Sequence, residues 1–158
     1  MHSLLKDKMR GFTIVELLIV IVVIGILVTL VIVTFTGMQA RARDTSRQTD
    51  ISAIASHLAV YHADNGYYPT LDNMNDSDWR ADNMQGLPED ALQDPRGESP
   101  TLASEASDTA YGYTAAAADG ESTCNNDLEA EGGQLCEFFE LSATLEEGDE
   151  DFFIRSSE

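Results

Sequence analysis

One carboxylate, Glu16, stands inside a stretch that is otherwise apolar: from Phe12 to Phe35 no other side chain is ionisable. A charge at the middle of a bilayer costs roughly 2.5 to 3.5 kcal/mol, so an acidic group in such a run marks a function and asks for a cationic partner. Glu16 follows Phe12 by four residues, one helical turn, and glutamate in a first turn is favoured by the helix dipole. Two further sets of residues have chemistry to offer. Cys124 and Cys136 are the only cysteines. Asp119, Glu121, Asn125, Asn126 and Asp127 supply hard oxygen donors within one loop region; their spacing is not that of an EF-hand, so a solvated acidic loop is the first reading and a calcium site the second. His57 and His62 lie five apart, a poor pair for one metal. With no Ser/His/Asp, Cys/His or phosphate-cradling glycine motif, the chain is not expected to be an enzyme, and no cofactor is expected beyond that calcium alternative.

The elements that must position these groups begin with the apolar run. Residues 17–33 are apolar except for Gly25 and Thr29, and with their flanks they reach the roughly 20 residues that span a bilayer. A secretory signal would have a shorter apolar core, about 7 to 15 residues, with its cleavage site after it. Lys6, Lys8 and Arg10 precede the run, so the positive-inside rule keeps the first residues cytoplasmic and sends the remainder outward. Both cysteines then face an oxidising compartment. A bridge closing a loop of about a dozen residues there contributes on the order of 3 kcal/mol, and a disulfide is preferred to two free thiols.

Beyond the apolar run the helical pattern continues. Ile51, Ile54, Leu58 and Tyr61 form a stripe at helical spacing, and no proline occurs before Pro69, so one helix from Phe12 to about Ala63 is expected, its second half amphipathic. Arg41, Arg43 and Arg47 are expected at the outer membrane surface, facing acidic neighbours in a filament, or on a solvated helix face. Asn65 and Gly66 suit a left-handed cap, and Pro69 cannot continue the helix. Asp72, Asn75, Asp76 and Asp78 read as a flexible polar loop. Short strands are expected over 110–115, 136–142 and 151–155, a small antiparallel sheet laid on the helix, which makes the class α+β.

Length and charge bound what this architecture does. The chain has 158 residues and a formal net charge of -19, enough for one small domain beyond the anchor. Its only lysines are Lys6 and Lys8, and the acidic residues lie almost all beyond position 63. An outward part so anionic argues against direct nucleic-acid binding, which rests on Lys and Arg.

Gly11-Phe12-Thr13-Ile14-Val15-Glu16-Leu17-Leu18-Ile19-Val20 resembles the class III signal of the type IV pilin and pseudopilin family. The resemblance implies cleavage after Gly11 by a membrane-embedded peptidase that also methylates the new Phe12 amine. An α-amine has a pKa of about 7.7 to 8.0, so it is cationic near neutral pH and able to pair with Glu16 of a neighbouring subunit. Tyr68-Pro69-Thr70, Leu87-Pro88, Asp94-Pro95-Arg96-Gly97 and Tyr111-Gly112-Tyr113-Thr114 are similar to the globular part of pseudopilin G-like proteins, although Glu89 to Gln93 separate two pairs usually close together. Relatives of that kind can hold calcium in a sheet loop. Family members often carry a proline where Val33 stands. The implied organisation is a leader over 1–11, a transmembrane and filament-core helix over 12–35, an amphipathic continuation over 36–64 and an acidic pilin head over 65–158. The implied partners are copies of the chain itself, the peptidase and methylase, an assembly platform with its ATPase, and the membrane. The first functional expectation is a structural subunit of a type IV pilus or similar filament. A pseudopilin of a type II secretion system is the alternative, and an uncleaved single-span protein a third.

Overall fold

A computed structural model of the chain describes residues 11–130, 132–148 and 151–156. Its first element, α1, is an unbroken helix over Ile14–Asn65. The chain divides into two units at Gln39 and Ala40. In the first, α1 is apolar on every side: the large aliphatic side chains from Ile14 to Ile32 are 46% to 86% exposed, with nothing in the unit to cover them. Contiguous apolar surface on that scale belongs against lipid or protein. Among the described residues this is the one helix long and apolar enough to cross a membrane.

The second unit is built on the later turns of α1. Ile51, Ile54 and Leu58 are fully buried and Tyr61 nearly so, so the expected stripe is the core face. The helix ends at Asn65; Gly66 takes a left-handed φ of 82°, and its amide donates to the His62 carbonyl at 2.7 Å. Three antiparallel strands follow in chain order: β1 over Gly112–Ala116, β2 over Phe138–Ala143 and β3 over Phe152–Arg155. Tyr113 pairs with Leu141, and Leu141 with Ile154. Side chains alternate along β2, with Phe139, Leu141 and Ala143 buried, so one sheet face joins the helix stripe in a single core. The α+β class and the three strands match expectation, with bounds moved by one or two residues.

The polar segment after Pro69 departs from expectation. Instead of a flexible loop, it forms two short helices, α2 over Leu71–Asn75 and α3 over Ser77–Asn83. Its Asp and Asn side chains serve as caps. Thr70 and Asn73 close a reciprocal capping box on α2, and Asp76 Oδ1 accepts from the amides of Asp78 and Trp79 to start α3. Asn75 exchanges hydrogen bonds with the Leu102 backbone, its Nδ2 donating at 3.0 Å and its Oδ1 accepting at 2.8 Å. The same residue types that favour turns also satisfy helix ends, and the composition alone did not distinguish the two. Glu89–Leu92, which separates the Leu87-Pro88 and Asp94-Pro95 pairs, forms a short 3-10 turn.

Gly112 shows why the start of β1 is glycine. A Cβ there would lie 2.5 Å from the Ala106 amide nitrogen and 2.5 Å from Ser142 Oγ. Its neighbours Tyr111 and Tyr113 are fully buried, and each hydroxyl finds an acceptor: Asp50 Oδ2 at 2.9 Å and the Pro69 carbonyl at 2.7 Å.

Candidate processing and assembly site

The site is the start of α1. Thr13 is the N-cap: its Oγ1 accepts from the Glu16 amide at 3.2 Å, while Glu16 Oε2 accepts from the Thr13 amide at 2.9 Å and from Thr13 Oγ1 at 2.8 Å. This is a capping box, which satisfies two amides that the helix itself cannot. Thr13 was not singled out from sequence, although Thr-x-x-Glu ahead of an apolar run is the signature of such a box. Both bonds to Glu16 fall on Oε2, which leaves Oε1 able to accept from a cation. Phe12, one turn before Glu16, is 81% exposed. A Cβ on Gly11 would meet nothing within 4 Å, so the fold places no steric demand on glycine there. Residues 1–10 of the expected leader lie outside the described residues.

The three arginines at the start of the second unit lie at different depths. Arg47 is fully buried. Its Nε donates to Asp94 Oδ2 at 2.6 Å and its Nη2 to Asp94 Oδ1 at 3.2 Å; its Nη1 donates to Asp44 at 2.8 Å and to Glu146 at 3.0 Å. Arg43 Nε donates to Glu146 Oε1 at 2.6 Å, and Arg41 pairs with Glu147 at 2.7 Å. Asp44 also accepts from the amides of Glu146 and Glu147, at 3.0 and 2.9 Å. Burial acts to lift the Asp44 carboxyl, but those amides and Arg47 together hold it below its usual value. Arg43 is the main cause that brings Glu146 down to about 2. Arg47 therefore turns inward and, with half-buried Arg43, fastens the 94 and 146–147 segments to α1, whereas Arg41 keeps to the solvated face, its side chain 76% exposed. Asp44 and Arg47 extend the apolar stripe backwards at the same three- and four-residue spacing, a signal that their charge concealed.

Cys124 and Cys136 are bonded, with Cα atoms 5.2 Å apart. Cys136 is fully buried, its amide donates to Asn126 Oδ1 at 2.8 Å, and its carbonyl accepts from the Tyr68 amide at 2.7 Å. The disulfide thus ties the 125–135 loop to the core beneath the end of α1.

Most of the calcium candidates spend side-chain oxygens on backbone amides. Asp119 accepts from the amides of Glu121 and Ser122 and from Ser122 Oγ, which hold its carboxyl at about 2, the Ser122 hydroxyl contributing most. Asn125 Oδ1 accepts from the Asp127 and Gln134 amides, and Asp127 Oδ1 from the Glu129 and Ala130 amides. Asp119 and Asp127 thus close their own turns, while Asn125 reaches the Gln134 amide and Asn126 the Cys136 amide. Among the described residues, no three His, Cys, Asp or Glu side chains gather as metal ligands.

A membrane-length helix with a capped glutamate in its first turn, continued into a head with a small antiparallel sheet, is the architecture of a pilin-like subunit. A family described as a prokaryotic N-terminal methylation motif matches residues 6–32. The type II secretion system core protein G of Escherichia coli (strain K12) is 32% identical over 131 residues, 77% of this chain and 90% of that protein. The proteins of the same name from Dickeya chrysanthemi and Vibrio cholerae are 37% and 38% identical over 68 and 65 residues, which is 44% of each. No solved structure gives a significant match. The chain belongs to the pilin and pseudopilin family, whose members are structural subunits and not enzymes.

Proposed function

We propose that this chain is a pseudopilin of a type II secretion system, cleaved after Gly11, methylated on the Phe12 amine and polymerised through the apolar part of α1 into a short periplasmic filament. The observation that carries the reading is the similarity to core protein G over nine-tenths of that relative's length, together with the methylation motif at the N-terminus. These favour the secretion reading over a surface pilus for adhesion or motility. Before assembly the subunit sits in the inner membrane with its N-terminus cytoplasmic; the proposed partners are its own copies, the prepilin peptidase and methylase, and an assembly platform with its ATPase.

Glu16 is the proposed assembly residue. In the single chain its carboxylate is occupied on one oxygen by its own helix cap. In the filament, the freed amine of an incoming Phe12 pairs with Glu16 of a subunit already in place, neutralising both charges within the apolar layer. A fixed partner for each new N-terminus also fixes the axial step.

The test is intact mass and N-terminal analysis of this protein from membrane and sheared surface fractions of cells that make it, with secretion of exported proteins followed in its absence. A product that begins at methylated Phe12, stays with the cell envelope and is needed for secretion supports the proposal. Abundant mature subunit in sheared surface fibres, with secretion unaffected, would favour the pilus. Met1 retained would leave an uncleaved anchor.

A further inference from the structure

Beyond Ala40 the chain carries 26 Asp and Glu residues against six arginines, Arg41, Arg43, Arg47, Arg80, Arg96 and Arg155, and no lysine. Copies of so anionic a head repel one another when a filament brings them together. The question is which cations are left to oppose that repulsion. Arg41, Arg43 and Arg47 are committed to Glu147, Glu146, Asp44 and Asp94 of their own chain. Arg80 is buried, donating from Nη1 to the Met74 carbonyl at 2.7 Å and from Nη2 to Glu89 at 3.0 Å. Arg155 pairs with Glu140 and lies over the Phe153 ring, 4.8 Å from its centroid. Among the described residues, Arg96 is the one arginine whose side chain has no carboxylate partner, although Glu98 is two residues away, and it is exposed.

The turn that presents Arg96 is held firmly. Its root, Asp94, is 2% exposed and grips Arg47 through both oxygens. Asp94 Oδ1 also accepts from the Arg96 amide at 2.8 Å, and the Asp94 carbonyl accepts from the Gly97 amide at 2.8 Å. Gln93 Nε2 donates across the turn to the Gly97 carbonyl at 2.9 Å. Gly97 packs so closely that a Cβ would lie 2.5 Å from the Thr109 carbonyl oxygen. A fixed backbone carrying an unpaired guanidinium lowers the ordering cost of a contact and suits bidentate recognition of a carboxylate.

Resting on the filament reading above, we infer that Arg96 is the head's docking cation, and that its ligand is a carboxylate on the acidic surface of a second copy of this chain. Charge complementarity commits the occupant: the head of a second copy offers 26 Asp and Glu residues against six arginines, so most of its carboxylates lack a counter-charge of their own. One such exposed pair is worth about two- to fivefold in association. Repeated at every subunit contact, it biases register, and because it is exposed its effect falls as salt rises.

The test uses the full-length chain in cells with its own secretion machinery. A photo-crosslinking residue at position 96 is expected to yield a homodimer whose linked peptide is acidic and comes from a second copy. Arg96→Glu is expected to lower multimer yield at low salt by about two- to fivefold or more, with Arg96→Lys retaining part of it. Unchanged maturation and unchanged thermal unfolding of both variants exclude loss of folding as the cause. Crosslinks only to phospholipid or to other proteins, or equal multimer yield from Arg96→Glu, would overturn the inference while leaving the filament reading intact. Absence of multimers from the unaltered chain would overturn both.

Discussion

Arg47 and Asp94 form a doubly hydrogen-bonded ion pair that is shut away from water, the arginine on the core face of α1 and the aspartate at the root of the turn carrying Arg96. Their sequence separation is 47 residues, so the pair closes a long loop onto the helix. Neither charge is solvated, and each depends on the other.

Removing Arg47 leaves Asp94, Asp44 and Glu146 without the guanidinium they share. Arg47→Met is expected to destabilise the head by about 3 to 5 kcal/mol, the range for an uncompensated buried charge. Asp94→Asn leaves Arg47 with Asp44 and Glu146 and is expected to cost less. Denaturant unfolding of the detergent-solubilised full-length chain ranks the two; equal and small effects would mean that the pair is not what holds the turn.

Acid should loosen the 146–147 segment before the core. Glu146 titrates near 2 when folded against an ordinary value of 4.5, so its contribution is complete above about 4.5 and lost as the pH falls towards 2. Asp44, also lowered, acts in the same direction. Asp50 acts oppositely, since burial raises its carboxyl despite the bond from Tyr111, and protonating it favours the folded form. Hydrogen-exchange protection of the Glu146 and Glu147 amides, both donated to Asp44, is expected to fall as the pH drops from about 4.5 towards 2 while Leu141 stays protected. Glu146→Gln should remove much of this acid dependence.

The disulfide closes a short loop over a buried sulfur. Cys124→Ser with Cys136→Ser is expected to cost about 3 kcal/mol, with the cost of placing a hydroxyl at buried position 136 in addition. Melting the unaltered chain with and without reductant separates the two contributions. An unchanged melting temperature on full reduction would show that Asn126, which donates to the Tyr68 carbonyl and accepts from the Cys136 amide, suffices to hold the loop.

Gly11 is unconstrained in the folded chain, so a defect on replacing it belongs to processing. Gly11→Leu is expected to insert normally and remain at precursor mass, because the fold has room for the side chain. A mature-size product from that variant would mean that the cleavage position was misread.

Glu16 carries two tasks that substitutions separate. Glu16→Gln keeps a side-chain acceptor for the Thr13 amide but removes the charge, whereas Glu16→Val removes both. If pairing with an incoming amine drives assembly, both variants should insert and be cleaved yet lose multimers. Recovery of multimers in Glu16→Gln alone would assign the residue to capping instead.

Much of this protein was written along the chain. The apolar run, the single carboxylate in it, the basic residues before it and the stripe of Ile51, Ile54, Leu58 and Tyr61 are local periodicities, and helix geometry converts them directly into a membrane-length span and a core face. Gly66 and Pro69 end the helix for equally local reasons. Tertiary structure decided where partners came from far away. Sequence could not tell that Arg47 turns inward, because its three carboxylates lie at positions 44, 94 and 146 and only packing brings them together. Nor could it tell that Asp119 and Asp127 spend their oxygens on their own turns, or that Arg96 alone among the described arginines has no carboxylate partner. A charge is placed by the competition between desolvation and the partners available in three dimensions, and that competition has no period in the sequence to reveal it.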